Sequence, residues 1–145
     1  MNFVSTTTFR ESLNKLTKRE DSGYKSCNTD ICHELKEATF EDIFNRHFLI
    51  KQSGQIRLIK LRIQNSDQNL SSAAGYRLII ICNPKHDHVA LLEIYPKKGK
   101  YSKTDLTKHE YKDIVNCYGD ELKRNVLITH DILNSLAIVI PQKNN

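Results

Sequence analysis

The residues with the clearest capacity for chemistry are basic side chains that alternate with apolar ones. Residues 57–63 read Arg-Leu-Ile-Lys-Leu-Arg-Ile, the pattern of a half-buried β-strand. Lys60 and Arg62 then point to one face, about 7 Å apart, while Ile59 and Leu61 point to the other. Fixed cations on a sheet face suit binding of phosphates or another polyanion, although a solvated strand face gives the same alternation.

A third cation, Arg77, lies within the strongly apolar segment 75–82. A strand that is apolar on both faces is expected at the centre of a sheet, where a lone arginine needs a partner or a role. Two interpretations remain open. Arg77 forms a buried pair with Glu93 on the neighbouring strand, or it joins Lys60 and Arg62 in contacting phosphates.

A lysine-rich loop follows the last of these strands. It contains four lysines and one tyrosine within seven residues: Lys97, Lys98, Lys100, Tyr101 and Lys103. Such a loop is compatible with an ordinary solvated surface. The interleaved tyrosine favours phosphate contact combined with base stacking.

The net charge of +5 is confined to this part of the chain. Residues 1–54 contain eight Lys or Arg against eight Asp or Glu, residues 55–103 nine against three, and residues 104–145 five against six. A local excess of cations indicates a binding surface for a polyanion and not a general solubility coat.

The N-terminal part is predicted to be mainly helical and to form a packing layer. Residues 2–5 suggest a short edge strand. Thr8 is a candidate N-cap of a helix that ends near Gly23, and a second amphipathic helix is predicted from Asp30 to about His47.

Three strands are then predicted over residues 57–63, 75–82 and 89–95, joined as an antiparallel meander. Pro96 closes the third strand because proline cannot donate to a ladder. A last helix begins after a cap at Thr107 or at Thr104-Asp105 and runs through Ile114. Residues 125–145 fit either short strands or a helical turn.

Length and composition predict one domain over residues 1–145, with a core of about 1–124 and an additional C-terminal segment, 125–145. The N-terminus lacks the pattern of a secretory signal, and the longest apolar run, residues 136–140, is too short to span a bilayer. We expect a cytoplasmic protein with no membrane partner. Its four cysteines form no CxxC pair, so neither a metal site nor a cofactor is expected.

The chain resembles the RelE/ParE superfamily of toxins from type II toxin–antitoxin systems, in particular its RelE- and HigB-like members. The matching segments are Ile59-Lys-Leu-Arg, Ala74-Gly-Tyr-Arg-Leu-Ile and Leu92-Glu-Ile-Tyr-Pro-Lys, and the similarity covers about residues 4–118. The resemblance implies an α+β fold, in which a small twisted antiparallel sheet is backed by two N-terminal helices and followed by a C-terminal helix.

The resemblance also implies a function. Toxins of the RelE type are mRNA interferases, endoribonucleases that cut messenger RNA on the ribosome and are held inactive by a cognate antitoxin protein. Attack by the RNA's own 2′-hydroxyl needs no metal, because fixed cations can stabilise the charge of the transition state. The implied catalytic residues are Lys60, Arg62, Arg77, Lys97 and Tyr101, and the implied RNA-binding residues are Arg57, Lys98, Lys100 and Lys103.

Three positions depart from the family pattern. Leu58 stands where the best-known members have a second lysine, the loop 64–74 lacks the lysines usual there, and Ala74 replaces the first of two glycines. No histidine occupies an obvious position for a general base. These departures favour two alternatives to RNA cleavage, a ParE-like gyrase poison and a catalytically decayed family member that acts as a binding protein.

Overall fold

The computed structural model describes residues 1–45 and 48–138, which fold into an α+β structure with a six-stranded sheet. The helices are α1 (Thr7–Thr17), α2 (Cys27–Lys36), α3 (Phe40–Phe44) and α4 (Lys108–Arg124). The strands are β1 (Asn2–Ser5), β2 (Leu49–Ser53), β3 (Ile56–Ile63), β4 (Tyr76–Asn83), β5 (His88–Pro96) and β6 (Ile128–His130). None of the helices in these residues has the length and apolar character needed to cross a membrane.

The sheet has the strand order β2-β3-β4-β5-β1-β6. The predicted antiparallel meander is confirmed, since β3 pairs with β4 and β4 with β5 in antiparallel register. The prediction of a purely antiparallel sheet is wrong, because β1 pairs with β5 in parallel. β1 is also not an edge strand: β6, formed by the segment after α4, pairs with its other side.

Helices cover the sheet on both faces, which explains why all eight residues of β4 are buried. On one face, Phe9 and Leu13 of α1 and Ile31 of α2 pack in a core cluster with strand residues such as Leu61 and Ile80. On the other, Ile114 and Tyr118 of α4 pack in a second cluster that includes Leu58, Ile79 and Leu92. The two faces are called the N-helix face and the α4 face below.

The helical layer before the sheet differs in detail from the prediction. Thr6, not Thr8, caps α1, which ends at Thr17 and not near Gly23. The predicted second helix is two helices: α2 ends at Lys36, and Thr39 starts α3 with a capping box in which its hydroxyl accepts from the Asp42 N–H. Three α-helices therefore precede β2 where two were predicted. His47, the predicted end of the second helix, lies outside the described residues.

Two strands were not predicted as such. β2 forms a hairpin with β3 through Gly54, whose φ of 59° lies in the left-handed region that favours glycine. Its five residues are all exposed and its register with β3 shifts between Leu49 and Lys51, so the sequence lacks the alternation that marks a strand. β6 shows that the C-terminal segment contains a short strand, one of the two alternatives that the sequence left open. α4 begins at the predicted cap, Thr107, with a capping box formed with Glu110.

Candidate nucleic-acid interface

Strand register brings three predicted cations to one face of the sheet. Arg62 of β3 lies directly opposite Arg77 of β4, which in turn lies opposite Tyr95 of β5. Directly opposed residues of antiparallel strands point to the same face, with Cβ atoms about 5 Å apart. Lys60 shares that face because it precedes Arg62 by two residues. Lys60, Arg62 and Arg77, called the basic face below, lie on the α4 face, opposite the helices α1 to α3.

Gly75 explains how the Gly-Tyr-Arg segment positions Arg77. A Cβ atom at this glycine would lie 2.1 Å from the Ile63 carbonyl oxygen, so only glycine allows β3 and the start of β4 to approach this closely. The Gly75 carbonyl also accepts the Lys97 backbone N–H at 2.8 Å. The glycine therefore fixes the register in which Arg77 meets Arg62.

Arg77 is a buried cation bound to backbone carbonyls. Its side chain belongs to a residue only 7% exposed. Nη1 donates to the carbonyls of Ser72 (3.1 Å) and Tyr76 (3.2 Å), and Nη2 donates to that of Ala73 (2.8 Å). Burial, and then the charge of Arg62, lower the pKa of Arg77 from its usual value, but an arginine remains a cation at neutral pH. The guanidinium therefore stabilises the loop 72–76 by hydrogen bonds and contributes a positive charge on the buried side of the basic face.

The alternative pairing of Arg77 with Glu93 is not formed. The Glu93 carboxylate accepts the Ile94 N–H at 2.9 Å, and burial raises its pKa. Among residues 1–45 and 48–138, neither Arg77 nor Arg62 takes part in an ion pair. The two adjacent guanidinium groups therefore place two positive charges side by side without a carboxylate partner among the described residues.

Arg62 is the exposed member of the basic face. Its guanidinium carbon lies 4.6 Å from the centre of the Phe48 ring, a cation–π contact at the start of β2. The ring holds the guanidinium in place without using its N–H donors. Arg62 is therefore the arginine best placed to meet a phosphate from solvent.

Lys60 is held by a carboxylate, Asp105, that the sequence did not indicate. Its ammonium nitrogen lies 3.3 Å from Asp105 Oδ1. The same oxygen accepts from Tyr111 OH (2.7 Å), Tyr95 OH (3.3 Å) and the Leu106 N–H (2.7 Å). Partial burial works to raise the pKa of Asp105, but the bonds from Tyr111 and Leu106 and the charge of Lys60 outweigh it, so the pKa lies below its usual range. Asp105 is thus an ionised carboxylate that joins Lys60 of β3, Tyr95 of β5 and Tyr111 of α4; these four residues are called the Asp105 hub below.

The two tyrosines of this hub are neutral proton donors. Burial, and then the neighbouring Asp105 carboxylate, raise the pKa of both Tyr95 and Tyr111 far above that of a free phenol. Tyr95 is buried, whereas Tyr111 is partly exposed at the first turn of α4. Tyr95 could have been found from its register opposite Arg77. Asp105 and Tyr111 carry no sequence signal, because only the docking of α4 brings them to the sheet.

Of the other two predicted catalytic residues, Tyr101 lies away from the basic face and Lys97 is bound to a loop carbonyl. Tyr101 packs on the N-helix face, where its ring centre is 6.1 Å from that of Tyr24 and 4.6 Å from the Lys15 ammonium. Lys97 donates to the Thr104 carbonyl at 2.6 Å and so braces the loop before α4. The structure thus does not bring Tyr101 and Lys60 into one site.

Arg57 lies on the opposite face of the sheet from Lys60, Arg62 and Arg77. It stacks over Phe44 of α3, with its guanidinium carbon 4.0 Å from the ring centre, and donates to the Phe44 carbonyl at 2.8 Å. Its odd number gives it the same orientation as Ile59 and Leu61 of the core. Arg57 therefore fastens α3 to the sheet.

The loop lysines differ in their availability. Lys103 forms a 2.6 Å ion pair with Glu110 and lowers the pKa of that carboxyl. Lys98 and Lys100 are exposed, and the Lys98 carbonyl accepts from the Tyr24 hydroxyl at 2.8 Å. That bond anchors the loop backbone, and the Lys100 ammonium lies 5.6 Å from the centre of the Tyr101 ring.

Leu58 has a packing role where a lysine was expected. It is 8% exposed and belongs to the core cluster that contains Ile114 of α4. A lysine there would place an ammonium group under α4, at a cost in desolvation. The departure from the family pattern therefore accompanies the docking of α4 on the sheet.

Comparisons with known proteins add no relative to this picture: no protein-family model matches the chain, and no curated protein matches it. The functional interpretation therefore rests on the geometry of the site alone. The site contains two adjacent guanidinium groups, an ammonium group bound to a carboxylate, and a partly exposed phenol.

Proposed function

We propose that the protein is an RNA-binding toxin of a type II toxin–antitoxin system, an mRNA interferase that cuts ribosome-bound messages and is neutralised by a cognate antitoxin. One observation carries the proposal. Arg62 and Arg77 stand opposite each other on the α4 face with Lys60 beside them, and no described carboxylate pairs with either arginine. A polyphosphate chain is the biological ligand that such a face would attract most strongly.

The fold supports the proposal at the level of architecture. Helices α1 to α3 lie on one face of the β3–β4–β5 meander, and the basic face lies on the other, beside α4; a RelE-like plan is compatible with this layout. The sheet is mixed and three α-helices precede β2, so the agreement is one of general plan.

The reaction we assign is attack of the RNA 2′-hydroxyl on the adjacent phosphorus, with loss of the 5′-oxygen of the next nucleotide. Arg62 from solvent and Arg77 from below would stabilise the additional negative charge on the phosphorane, and Lys60 would bind a non-bridging oxygen. Asp105, ionised at neutral pH, can accept the 2′-hydroxyl proton, and its low pKa makes it a weak base. The Tyr111 hydroxyl, which donates to Asp105 in the free protein, would have to leave that bond to donate its proton to the departing 5′-oxygen.

A second candidate, a family member that binds without cleaving RNA, is favoured by the state of Arg77. Three of its five N–H donors bind carbonyls and the residue is almost fully buried. A guanidinium in this position stabilises the loop whether or not a phosphate is present. A catalytically decayed member and a ParE-like gyrase poison would both use the basic face as a binding surface without cleaving RNA.

Growth after induced expression, followed by mapping of 5′ ends on ribosome-bound messages, separates these candidates. The proposal expects growth arrest with new 5′ ends inside coding regions, and loss of both with Arg62→Ala. Arrest without new ends but with stalled replication would support the gyrase poison. Normal growth at full expression would support the binding protein.

A further inference from the structure

Three buried polar side chains meet under α4, at the end of β4 that lies farthest from Arg77. Asn83 ends β4, His88 begins β5, and the two residues are paired in the ladder. Tyr118 comes from the middle of α4, and Asn83, His88 and Tyr118 are 2%, 6% and 5% exposed. We call these three residues the His88 cluster. Polar groups enclosed in this way must satisfy one another.

The hydrogen bonds of the His88 cluster require a neutral imidazole. The Tyr118 hydroxyl oxygen accepts from Asn83 Nδ2 at 3.0 Å and lies 2.7 Å from His88 Nε2. With the imidazole proton on Nδ1, Nε2 accepts the phenol proton and both bonds are made. If Nε2 carried a proton, the phenol oxygen would accept twice. Its own proton would then have no acceptor within residues 1–45 and 48–138.

The Asn83 amide cannot relieve this conflict without a new cost. Its Oδ1 is buried and has no hydrogen-bond partner among the residues that the structure describes. Rotation of the amide would present Oδ1 to the phenol proton, but it would leave Nδ2, with its two protons, in the position without a partner. A charged His88 therefore combines the desolvation of a cation with an unpaired buried donor.

The surroundings of His88 do not offset that cost. Its partner on β1, Asn2, is neutral, as are the amide and the phenol of the cluster. The His86 ring stacks on His88 with 5.6 Å between ring centres, and Asp87, the nearest carboxylate in this turn, is exposed and lies 3.5 Å from the Met1 ammonium. Burial, and then His86, lower the pKa of His88, while Asp87 opposes them.

α4 is the element that can respond to a charge on His88. Only Ile114, Tyr118 and Glu121 of its 17 residues are buried, so the helix is docked along a narrow stripe. Elements docked by few buried residues open at a lower free energy than the whole domain. Once Tyr118 leaves the sheet, water can solvate the imidazole. Since the pKa of His88 is lowered in the fold, its contribution to docking is complete above the ordinary value of 6.5 and is lost as pH falls below it.

We infer that the His88 cluster is an acid-sensitive switch, which holds α4 on the sheet while His88 is neutral and favours release of the helix once His88 is protonated. α4 also carries Tyr111, whose hydroxyl binds Asp105 at 2.7 Å. Release of α4 therefore separates Tyr111 from the rest of the Asp105 hub and connects pH to the basic face. The inference concerns the docking of α4 and does not depend on RNA cleavage.

Hydrogen exchange of backbone amides, followed by NMR and corrected for the intrinsic effect of pH, tests the switch in the free protein. A histidine that ionises normally in the released state and stays neutral in the docked state raises the opening equilibrium about thirtyfold at about pH 5. Partial protonation of the docked state reduces this factor. Between about pH 7.5 and about pH 5, protection in residues 114–122 should therefore fall at least about fivefold more than protection in residues 77–82 of β4.

Two variants isolate the contribution of the His88 cluster. His88→Gln keeps a neutral acceptor for the phenol proton and should abolish the additional loss of protection in α4. His109→Gln is the matched control, because it changes an exposed histidine of the same helix, and it should respond to pH as the wild type does. If His88→Gln does not fold, Tyr118→Phe replaces it: removal of the hydroxyl should lower the protection of α4 at neutral pH and reduce its dependence on acid.

The imidazole signals in the same titration give a direct readout. His88 should be neutral in the folded protein, with its proton on Nδ1, and should remain so below the pKa of a free imidazole. Equal loss of protection in α4 and β4, a wild-type response of His88→Gln or Tyr118→Phe, or loss of the response in His109→Gln would overturn the inference. A charged His88 at neutral pH would also overturn it. None of these readouts involves RNA, so the switch and the proposed ribonuclease can fail independently.

Discussion

Replacing Arg77 separates its role in the fold from the role of Arg62 at the surface. Arg77→Ala removes three charge-assisted hydrogen bonds. The Ser72 and Ala73 carbonyls belong to exposed residues and can bind water after the change, whereas the Tyr76 carbonyl is buried. We therefore expect about 1 kcal/mol for each of the first two and somewhat more for the third, a loss of about 3 kcal/mol in the free energy of unfolding.

Arg62→Ala is the matched variant, because it removes the same group from the same face. Its guanidinium is exposed and, among the residues that the structure describes, stacks on the Phe48 ring, so we expect a loss of at most about 1 kcal/mol. Urea denaturation followed by circular dichroism measures both values. If Arg77→Ala loses less than Arg62→Ala, with unchanged m values, the structural account of Arg77 is wrong.

Three further expectations concern single residues. Asp105→Asn should lower the free energy of unfolding at neutral pH by about 1 kcal/mol. The loss is small because the carboxylate is half exposed and solvent screens its charge. Because the fold lowers the pKa of Asp105, its ionised carboxylate stabilises the protein above the ordinary pKa of an aspartate, and this stabilisation disappears as pH falls through the lowered value. The difference in melting temperature between variant and wild type should therefore close over that acidic range. A difference that persists there would contradict the role of Asp105. Lys98→Ala should reduce the slope of log affinity for single-stranded RNA against log salt by about one, with no change in the cleavage step; an unchanged slope would remove Lys98 from the RNA surface. Arg57→Ala should leave RNA cleavage within about twofold while destabilising the fold by about 1 kcal/mol, and a larger loss of cleavage in folded protein would contradict its placement on the N-helix face.

Alternation was sufficient to predict the part of the sheet that carries the basic face. The period of two in β3 and the apolar run of β4 follow directly from burial on one or both faces, and a meander places Arg62 and Arg77 on one face; their exact register depends on the close approach at Gly75. The same rule places Arg57 with Ile59 on the opposite face, although its charge suggested an RNA contact.

Other features depend on contacts that no local pattern carries. β2 is exposed throughout, so its sequence shows no buried face. The break between α2 and α3 was missed because Ile43 continues the apolar spacing of α2, while the decisive signal was the cap at Thr39. Asp105 and Tyr111 meet Lys60 only because α4 docks on the sheet, a long-range contact that periodicity does not report.

Cleavage of a defined message on purified ribosomes is the most direct test of the basic face. Purified wild-type protein should produce new 5′ ends without added divalent metal beyond that needed by the ribosome. Arg62→Ala should slow their appearance at least about a hundredfold, the usual cost of one donor aimed at transition-state charge, while Lys18→Ala should match the wild type. Equal rates for all three proteins, or no cleavage by folded wild-type protein, would contradict the claim that the basic face is a ribonuclease site.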